Sequence, residues 1–317
     1  MSLFRFLIVF SFLVCFAIIT SQAQIVTKPY LISYTQGRID LNRDTIVYKQ
    51  EKVIFGLDFK LNEYWSARVG IDLIRMNTPY LKPFVLTFRK NRWTIENGIF
   101  ATSELDLSLN QFWNNRFIDR VAADKWICPT ADLGMRISYR WNEFISTDIS
   151  VVSGNGYQRL LEKYFSKPAL RVLLTPAKPI LIGGYIGARK NDVVETTFGS
   201  YAHLNMDSKW KATCEYYHQS NSRFAEGNSI NVVSTYMTYS LLSKIEVMGR
   251  YDFVKSNRIE STGERWNVQE DGHAFIGGLI FRLFPTVRAS VNYWNRRSFS
   301  KHIDKEDWIY MCIEFKY

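Results

Sequence analysis

The end of the chain, from Asp307 to Tyr317, alternates between two kinds of side chain. Successive side chains of an extended strand point to opposite faces of its sheet, so the alternation separates two faces. One face is wholly apolar and carries Ile309, Met311, Ile313, Phe315 and Tyr317. The other is mostly polar and carries Trp308, Tyr310, Glu314 and Lys316. This pattern is typical of a strand with lipid outside, water inside and an aromatic residue at the membrane border. It recurs along the chain and predicts a transmembrane β-barrel.

The first residues have the features of a secretory signal peptide. A single cation, Arg5, precedes an apolar run from Phe6 to Ile19, and Ser21-Gln22-Ala23 is a small-x-small cleavage site. We therefore expect residues 1–23 to be removed and residues 24–317 to form the barrel. The alternative is a membrane anchor, which the short apolar run disfavours. No later stretch is long and apolar enough for a spanning helix.

The composition agrees with a barrel and argues against metal and nucleic-acid binding. Aromatic residues make up 15% of the chain, and only 8 residues are proline. The mean hydropathy is −0.15 because alternation hides the apolar half of a membrane strand from an average. Cys128, Cys214 and Cys312 lie far apart and the histidines are scattered, so neither a disulfide framework nor a metal site is predicted. The net charge of +10 is spread rather than clustered, which disfavours a nucleic-acid partner.

The rhythm of alternating segments and turns predicts an all-β antiparallel barrel of about sixteen strands, an even number as bacterial barrels require. The predicted strands cover residues 30–41, 51–61, 64–75, 81–90, 92–101, 131–141, 144–153, 168–176, 179–189, 194–204, 209–219, 229–239, 242–254, 273–284, 286–297 and 307–317. Short turns alternate with longer connections, as expected for periplasmic turns and external loops. A β-sandwich also alternates, but a sandwich of this length would need two domains and a linker, and no linker composition is present.

The predicted lumen is rich in charge. Basic inward positions outnumber acidic ones by about fifteen to ten, which would enrich anions in a water-filled passage. The main predicted lumen-lining cations are Arg38, Arg68, Arg136, Arg140, Arg171, Arg189, Lys211, Arg250, Arg282 and Arg288. The alternative for each of these cations is that it pairs with an acidic side chain on a neighbouring strand and stabilises the barrel wall without affecting selectivity.

One predicted connection, from Thr102 to Thr130, is far longer than usual. It contains apolar side chains unsuited to a loop in water: Phe112, Trp113, Phe117 and Ile118. We expect this third external loop to fold back into the lumen, so that its basic residues narrow the passage. These constriction residues are Arg116, Arg120 and Lys125. The alternative is an outer cap on the rim.

Six short runs follow one another along the chain: Tyr34 to Arg38, Phe112 to Asp119, Ala131 to Gly134, Gly154 to Tyr157, Gly249 to Asp252 and Val291 to Tyr293. Together, and in this order, they make the sequence resemble the phosphate-selective porin O/P family. The resemblance implies a sixteen-stranded, homotrimeric barrel with its third external loop in the pore. This chain is short for that family, and the family's arginine ladder and lysine cluster are not matched. From this resemblance we therefore expect passive diffusion of solutes, but not selectivity for phosphate.

A second resemblance starts at Tyr217-His218-Gln219-Ser220-Asn221. This run is similar to the catalytic stretch of outer-membrane phospholipase A and of lipid A deacylases, in which a serine is the nucleophile and a histidine its base. By strand parity His218 and Ser220 face lipid, and Asn228 or Asn231 on the next strand would orient the histidine. A polar loop tip explains the same residues.

Together these patterns predict a porin in the outer membrane of a Gram-negative bacterium, with outer-membrane lipid and lipopolysaccharide around it. It would pass small solutes, with a weak preference for anions, and would need no cofactor and catalyse no reaction. Two alternatives stay open: an acyl hydrolase that uses His218, Ser220 and Asn231, and a plugged barrel with a structural or partner-binding role.

Overall fold

The computed structural model describes residues 26–74, 78–107, 111–159, 166–206, 209–259 and 263–317. The predicted signal peptide lies outside the described residues. Within them the chain forms sixteen strands. The strands are β1 (Val26–Asp40), β2 (Thr45–Lys60), β3 (Trp65–Ile74), β4 (Thr78–Lys90), β5 (Trp93–Ala101), β6 (Ala131–Arg140), β7 (Ile145–Val152), β8 (Lys167–Ala177), β9 (Ile180–Lys190), β10 (Val194–Met206), β11 (Trp210–Ser220), β12 (Ser229–Leu242), β13 (Ile245–Ser256), β14 (Gly272–Phe284), β15 (Val287–Ser298) and β16 (Glu306–Lys316).

Each strand pairs with its neighbours in sequence, and the first strand pairs with the last, so the sheet closes on itself. β1 and β16 run antiparallel from the pair Ile32 and Lys316 to the pair Asp40 and Trp308. Closure leaves no strand edge without a partner. The even number of strands brings both chain ends to the same end of the barrel. The predicted all-β, antiparallel barrel of sixteen strands is confirmed.

The two faces of the sheet differ as the alternation predicts. On β16, Met311 and Ile313 are 53% and 52% exposed, whereas Cys312 and Glu314 between and beside them are 1% and 2% exposed. The same apolar exposure recurs on other strands, for example at Ile149 and Phe198. The exposed apolar side chains form a belt around the barrel, and the polar side chains point into it. A belt of this kind is the surface that lipid contacts.

The two ends of the barrel differ in the length of their connections. Short turns join β2 to β3, β4 to β5 and the later pairs up to β14 and β15, while longer connections follow β5, β7, β11 and β13. Most strand boundaries lie within about four residues of the predicted ones, and the largest difference is in β2. This strand begins at Thr45 rather than at residue 51. A bulge at Glu51, opposite Tyr34 and Thr35, interrupts its alternation and hid the first part of the strand from the sequence pattern. β12 runs to Leu242, past the predicted turn at Leu241, through a similar irregularity.

The connection between β5 and β6, residues 102–130, is called the long loop below. It contains a one-turn helix, α1 (Ala122–Trp126). Among the described residues, no helix has the length and apolar character needed to cross a membrane.

Candidate functional site

The long loop is attached to the wall at its first residues. Glu104 is buried and its carboxylate lies 2.5 Å from Lys167 Nζ on β8 and accepts a hydrogen bond of 2.5 Å from the Tyr185 hydroxyl on β9. Its backbone carbonyl accepts a 2.9 Å bond from the Tyr217 hydroxyl on β11. Burial alone would raise the pKa of Glu104, but Lys167 and Tyr185 lower it by more than burial raises it, so the pKa lies below its ordinary value. Glu104 is therefore held as a carboxylate.

The next acidic residue of the long loop joins two wall arginines. Asp106 pairs with Arg136 Nη1 at 2.9 Å and contacts Arg171 on β8. Both arginines also pair with wall carboxylates, Arg136 with Glu96 at 2.5 Å and Arg171 with Asp148 at 2.7 Å. These two predicted lumen cations are buried and neutralised, so they hold the loop and wall together.

The aromatic part of the long loop packs against side chains of β10, β12 and β13. Phe112 stacks on His203 with ring centroids 4.4 Å apart. Trp113 is 1% exposed, meets Tyr236 edge-on at 5.4 Å and lies 4.9 Å from the Arg250 guanidinium. Because His203 is near the short-turn end of β10, this part of the loop contacts the wall far from the end at which β5 finishes.

Three wall side chains hold backbone carbonyls of the long loop. Gln36 Nε2 on β1 donates to Ile118 O at 2.8 Å, and Arg250 Nη1 on β13 donates to Arg120 O at 2.7 Å. Arg288 Nη2 on β15 donates to Asn114 O at 2.8 Å. The loop is thus fixed to strands on several sides of the closed sheet.

A cavity of about 1110 Å³ lies against residues 116–130 of the long loop. Charged side chains make up about half of its lining, and among the described residues there nine are basic and three acidic. The basic residues are Arg38, Lys49, Lys52, Arg116, Arg120, Lys125, Arg159, Arg189 and Arg223. The acidic residues are Glu51, Asp119 and Asp124. We call this space the basic cavity.

The three predicted constriction residues all line the basic cavity. Arg116 lies 3.9 Å from Asp124, and Lys125 pairs with Asp119, so two of the three have an acidic neighbour within the loop. Burial would raise the pKa of Asp119, but Lys125 and Arg250 lower it more, below its ordinary value. Arg120 is exposed. Its charge is therefore available to a solute in the cavity.

Most of the other predicted lumen cations pair with acidic side chains on the same strand or the next one. The pairs are Arg38 with Glu51, Arg68 with Asp58, Arg189 with Glu195, Arg250 with Asp252, Arg282 with Glu246 and Arg288 with Glu314. Only Arg38 and Arg189 of these six line the basic cavity. Arg140 and Lys211 lie near the short-turn ends of β6 and β11, away from it.

Four cavity cations were not predicted from the sequence: Lys49, Lys52, Arg159 and Arg223. Lys52 has the same parity as the inward residue Lys60 and could have been found from alternation. Lys49 lies beyond the bulge in β2, where the parity changes. Arg159 and Arg223 belong to connections, whose paths alternation does not predict.

The residues of the alternative hydrolase prediction lie close together on the outer face of β11 and β12, the face that does not line the lumen. His218 Nε2 is 3.0 Å from Ser220 Oγ, and His218 Nδ1 is 3.0 Å from Asn231 Oδ1. Asn231 sits directly across from His218 on β12. The other candidate, Asn228, instead forms backbone hydrogen bonds within the β11–β12 connection.

Within the described part of the chain, no cluster of His, Cys, Asp and Glu could hold a metal ion. Cys128 and Cys312 are buried and Cys214 is exposed, all as free thiols.

No protein-family model and no curated protein matches the sequence. Solved structures do match over nearly the whole chain. OmpF of Salmonella typhi in complex with daunomycin has a TM-score of 0.70 at 10% identity, covering 92% of this chain and 97% of that one. The anion-selective porin from Comamonas acidovorans has a TM-score of 0.66 at 6% identity, covering 93% and 100%. In-vitro folded OmpT, an outer membrane protein of Vibrio cholerae, in its trimer form, has a TM-score of 0.66 at 11% identity, covering 92% and 99%.

These similarities show the fold, that of an outer-membrane barrel of porin type. Closure, strand number and the apolar belt agree with it, and barrels of this kind lie in the outer membrane of Gram-negative bacteria. The resemblance to the phosphate-selective porin O/P family stays a prediction.

Proposed function

We propose that this chain is an outer-membrane porin through which small solutes diffuse passively, with a preference for anions. The observation that carries the proposal is the basic cavity, in which nine cationic side chains face three anionic ones. A cavity of one charge sign with low-dielectric walls raises the local concentration of the opposite ion. The barrel is the fold of known porins, one of which is described as anion-selective.

In this proposal the long loop lies within the barrel and narrows the passage. Its support is the set of hydrogen bonds from Gln36, Arg250 and Arg288, which belong to the polar faces of three different strands. The packed side chains of the loop occupy the part of the lumen next to β10–β13. Solutes would pass on the remaining side, along Arg116 and Arg120. Ring-like arrangements of charge at a narrow point set selectivity in wide pores.

Diffusion of this kind needs no cofactor and no chemical step. The apolar belt would contact outer-membrane lipid and lipopolysaccharide. A homotrimer agrees with the trimer form of the Vibrio cholerae structure.

The test is the reversal potential of the refolded protein in a planar bilayer with a KCl gradient. Wild type should reverse on the anion side, and Arg116→Glu with Arg120→Glu should move the reversal potential toward the cation side. A matched control is Lys178→Glu with Lys244→Glu, which makes the same change in net charge at exposed turn residues. The control should leave the reversal potential unchanged. Equal reversal potentials for wild type and the loop variant would contradict the role of these arginines.

A well-folded barrel that never opens would favour the plugged structural or partner-binding barrel instead.

A further inference from the structure

The exposed face of β11 and β12 carries a serine, a histidine and an amide in series. His218 Nε2 lies 3.0 Å from Ser220 Oγ, and its other ring nitrogen lies 3.0 Å from Asn231 Oδ1. A hydroxyl within reach of a histidine, with the histidine held by a third group, is the arrangement that activates serine as a nucleophile. These three residues lie on the outer face of the sheet and none of them lines the basic cavity, so the arrangement is separate from that cavity.

The hydrogen bonds select one tautomer of His218. Asn231 Oδ1 is an acceptor, so the proton of the imidazole lies on Nδ1 and points at it. Nε2 is then left with its lone pair toward the Ser220 hydroxyl. The Tyr216 hydroxyl also donates to Asn231 Oδ1, at 2.8 Å, and fixes the orientation of the amide. The base is therefore set in the state that removes a proton from serine.

The backbone that follows Ser220 is strained. Asn221, Arg223 and Phe224 have positive φ angles of 51°, 60° and 56°. Such a conformation is unfavourable for a non-glycine residue and persists only where the surroundings hold it, commonly at functional sites. Here the Asn221 side chain holds the turn, since its Nδ2 donates to Val194 O at 2.9 Å and its Oδ1 accepts from Gly227 N at 3.0 Å.

The surroundings of these residues suit an acyl chain. Phe198 pairs with His218 across β10 and β11, and it is exposed on the same face. Tyr216, Val233 and the exposed Met237 continue this face along the barrel wall. The three polar residues stand at the end of the strands where the long connections begin, which is the external end. A lipid of the outer leaflet would therefore place its ester at Ser220 and its chain along the apolar wall.

We propose that Ser220, His218 and Asn231 form a hydrolase site for the acyl esters of outer-leaflet lipids. Ser220 is the nucleophile, His218 the general base and acid, and Asn231 the positioning residue.

The reaction balances with water as the only co-reactant. Ser220 Oγ attacks the ester carbonyl carbon while its proton passes to His218 Nε2. The carbon–oxygen bond to the lipid alcohol breaks, and the alcohol leaves with that proton. Water then attacks the acyl-serine, its proton passes through His218 to the Ser220 oxygen, and the free fatty acid is released.

The test measures fatty acid released by the refolded full chain in mixed micelles. One arm contains a glycerophospholipid and the other contains lipopolysaccharide, so the arms distinguish the two sources of acyl ester. We expect one arm to give product with wild type and at least 10²-fold less with Ser220→Ala. Ser229→Ala is the matched control, because Ser229 lies directly across from Ser220 on the same face. It should keep wild-type activity.

Asn231→Asp tests positioning against a merely structural role. The carboxylate still accepts the Nδ1 proton, so activity should persist in this conservative variant, whereas Asn231→Leu, which removes the acceptor, should lose activity. Heat-modifiable mobility checks that every variant is folded. Equal product from wild type and Ser220→Ala in both arms would overturn the proposal. Unchanged channel conductance in Ser220→Ala would show that this site and the pore are separate.

Discussion

Arg250 connects the barrel wall to the long loop from β13. It is buried, with 1% of its side chain exposed, and it makes two hydrogen bonds to Asp252, at 2.9 and 2.6 Å. Toward the loop it donates to Arg120 O at 2.7 Å and lies 4.9 Å above the Trp113 ring. Replacing it with methionine keeps an apolar stem of similar volume and removes every polar contact.

The expected effect follows from the contacts that join Arg250 to the loop. A hydrogen bond that involves a charged group contributes about 1.5–3 kcal/mol, and a desolvated cation–π contact about 2 kcal/mol. Their loss weakens the attachment of the loop by about 3–5 kcal/mol. The population of the detached loop would rise about 10²- to 4 × 10³-fold, since each 1.4 kcal/mol is a factor of ten. Detachment also lets water reach the Asp252 carboxylate, which Arg250→Met leaves buried without its cation.

Two assays report this change. Trypsin cleaves after arginine and lysine, so a released loop becomes a substrate at Arg116, Arg120 and Lys125, whereas wild type should resist. Single-channel conductance should increase because the passage widens. Arg282→Met is the matched control: Arg282 also pairs with a wall carboxylate on β13, Glu246, and the described residues show no contact between it and the loop. If Arg250→Met and Arg282→Met give the same cleavage pattern and conductance, the loop is not held in this way.

Three further perturbations test other parts of the structure. Glu104→Gln should release the first part of the loop and raise the conductance at neutral pH, because it leaves buried Lys167 unpaired at a cost of about 3–5 kcal/mol. In wild type the conductance should rise only as the pH falls below 4.5. The pKa of Glu104 is lower in the folded barrel than its ordinary value of 4.5, so its stabilisation is present above pH 4.5 and is lost as the carboxylate is protonated. Cys128, whose pKa burial raises well above its ordinary value, should react more slowly with a water-soluble thiol reagent in the folded barrel than in the unfolded chain, and equal rates in the two states would contradict its burial. Gly98→Ala should lower the thermal midpoint of heat-modifiable mobility by the equivalent of roughly 1–3 kcal/mol, because φ is +120° and a Cβ would lie 2.1 Å from Phe84 O, whereas Gly249→Ala, with nothing within 4 Å, should not.

The fold was predictable because one physical rule applies to every strand. A wall between lipid and water requires alternation, and the positions of Met311 and Glu314 in β16 are enough to assign them to opposite faces, as their exposure confirms. The rule fails where a bulge changes the parity, as at Lys49 in β2. It also gives no information on connections, which is why Arg159 and Arg223 were not predicted to line the cavity.

The contacts of the long loop were beyond sequence reasoning for a different reason. Its apolar residues indicate that Phe112 and Trp113 need a packing surface, but alternation does not say which. Arg250 meets the carbonyl of Arg120, which is 130 positions away, only because the barrel closes with a particular register. The choice between Asn228 and Asn231 depends on register in the same way, since His218 pairs with Asn231 and the alternative residue lies in the turn.

The most direct test of the central claim is the single-channel conductance of the refolded wild-type barrel in a planar bilayer with a KCl gradient. An open, water-filled passage lined by the basic cavity predicts steady ohmic openings that reverse on the anion side. A folded, heat-modifiable barrel that stays silent, or openings that reverse on the cation side, would contradict it.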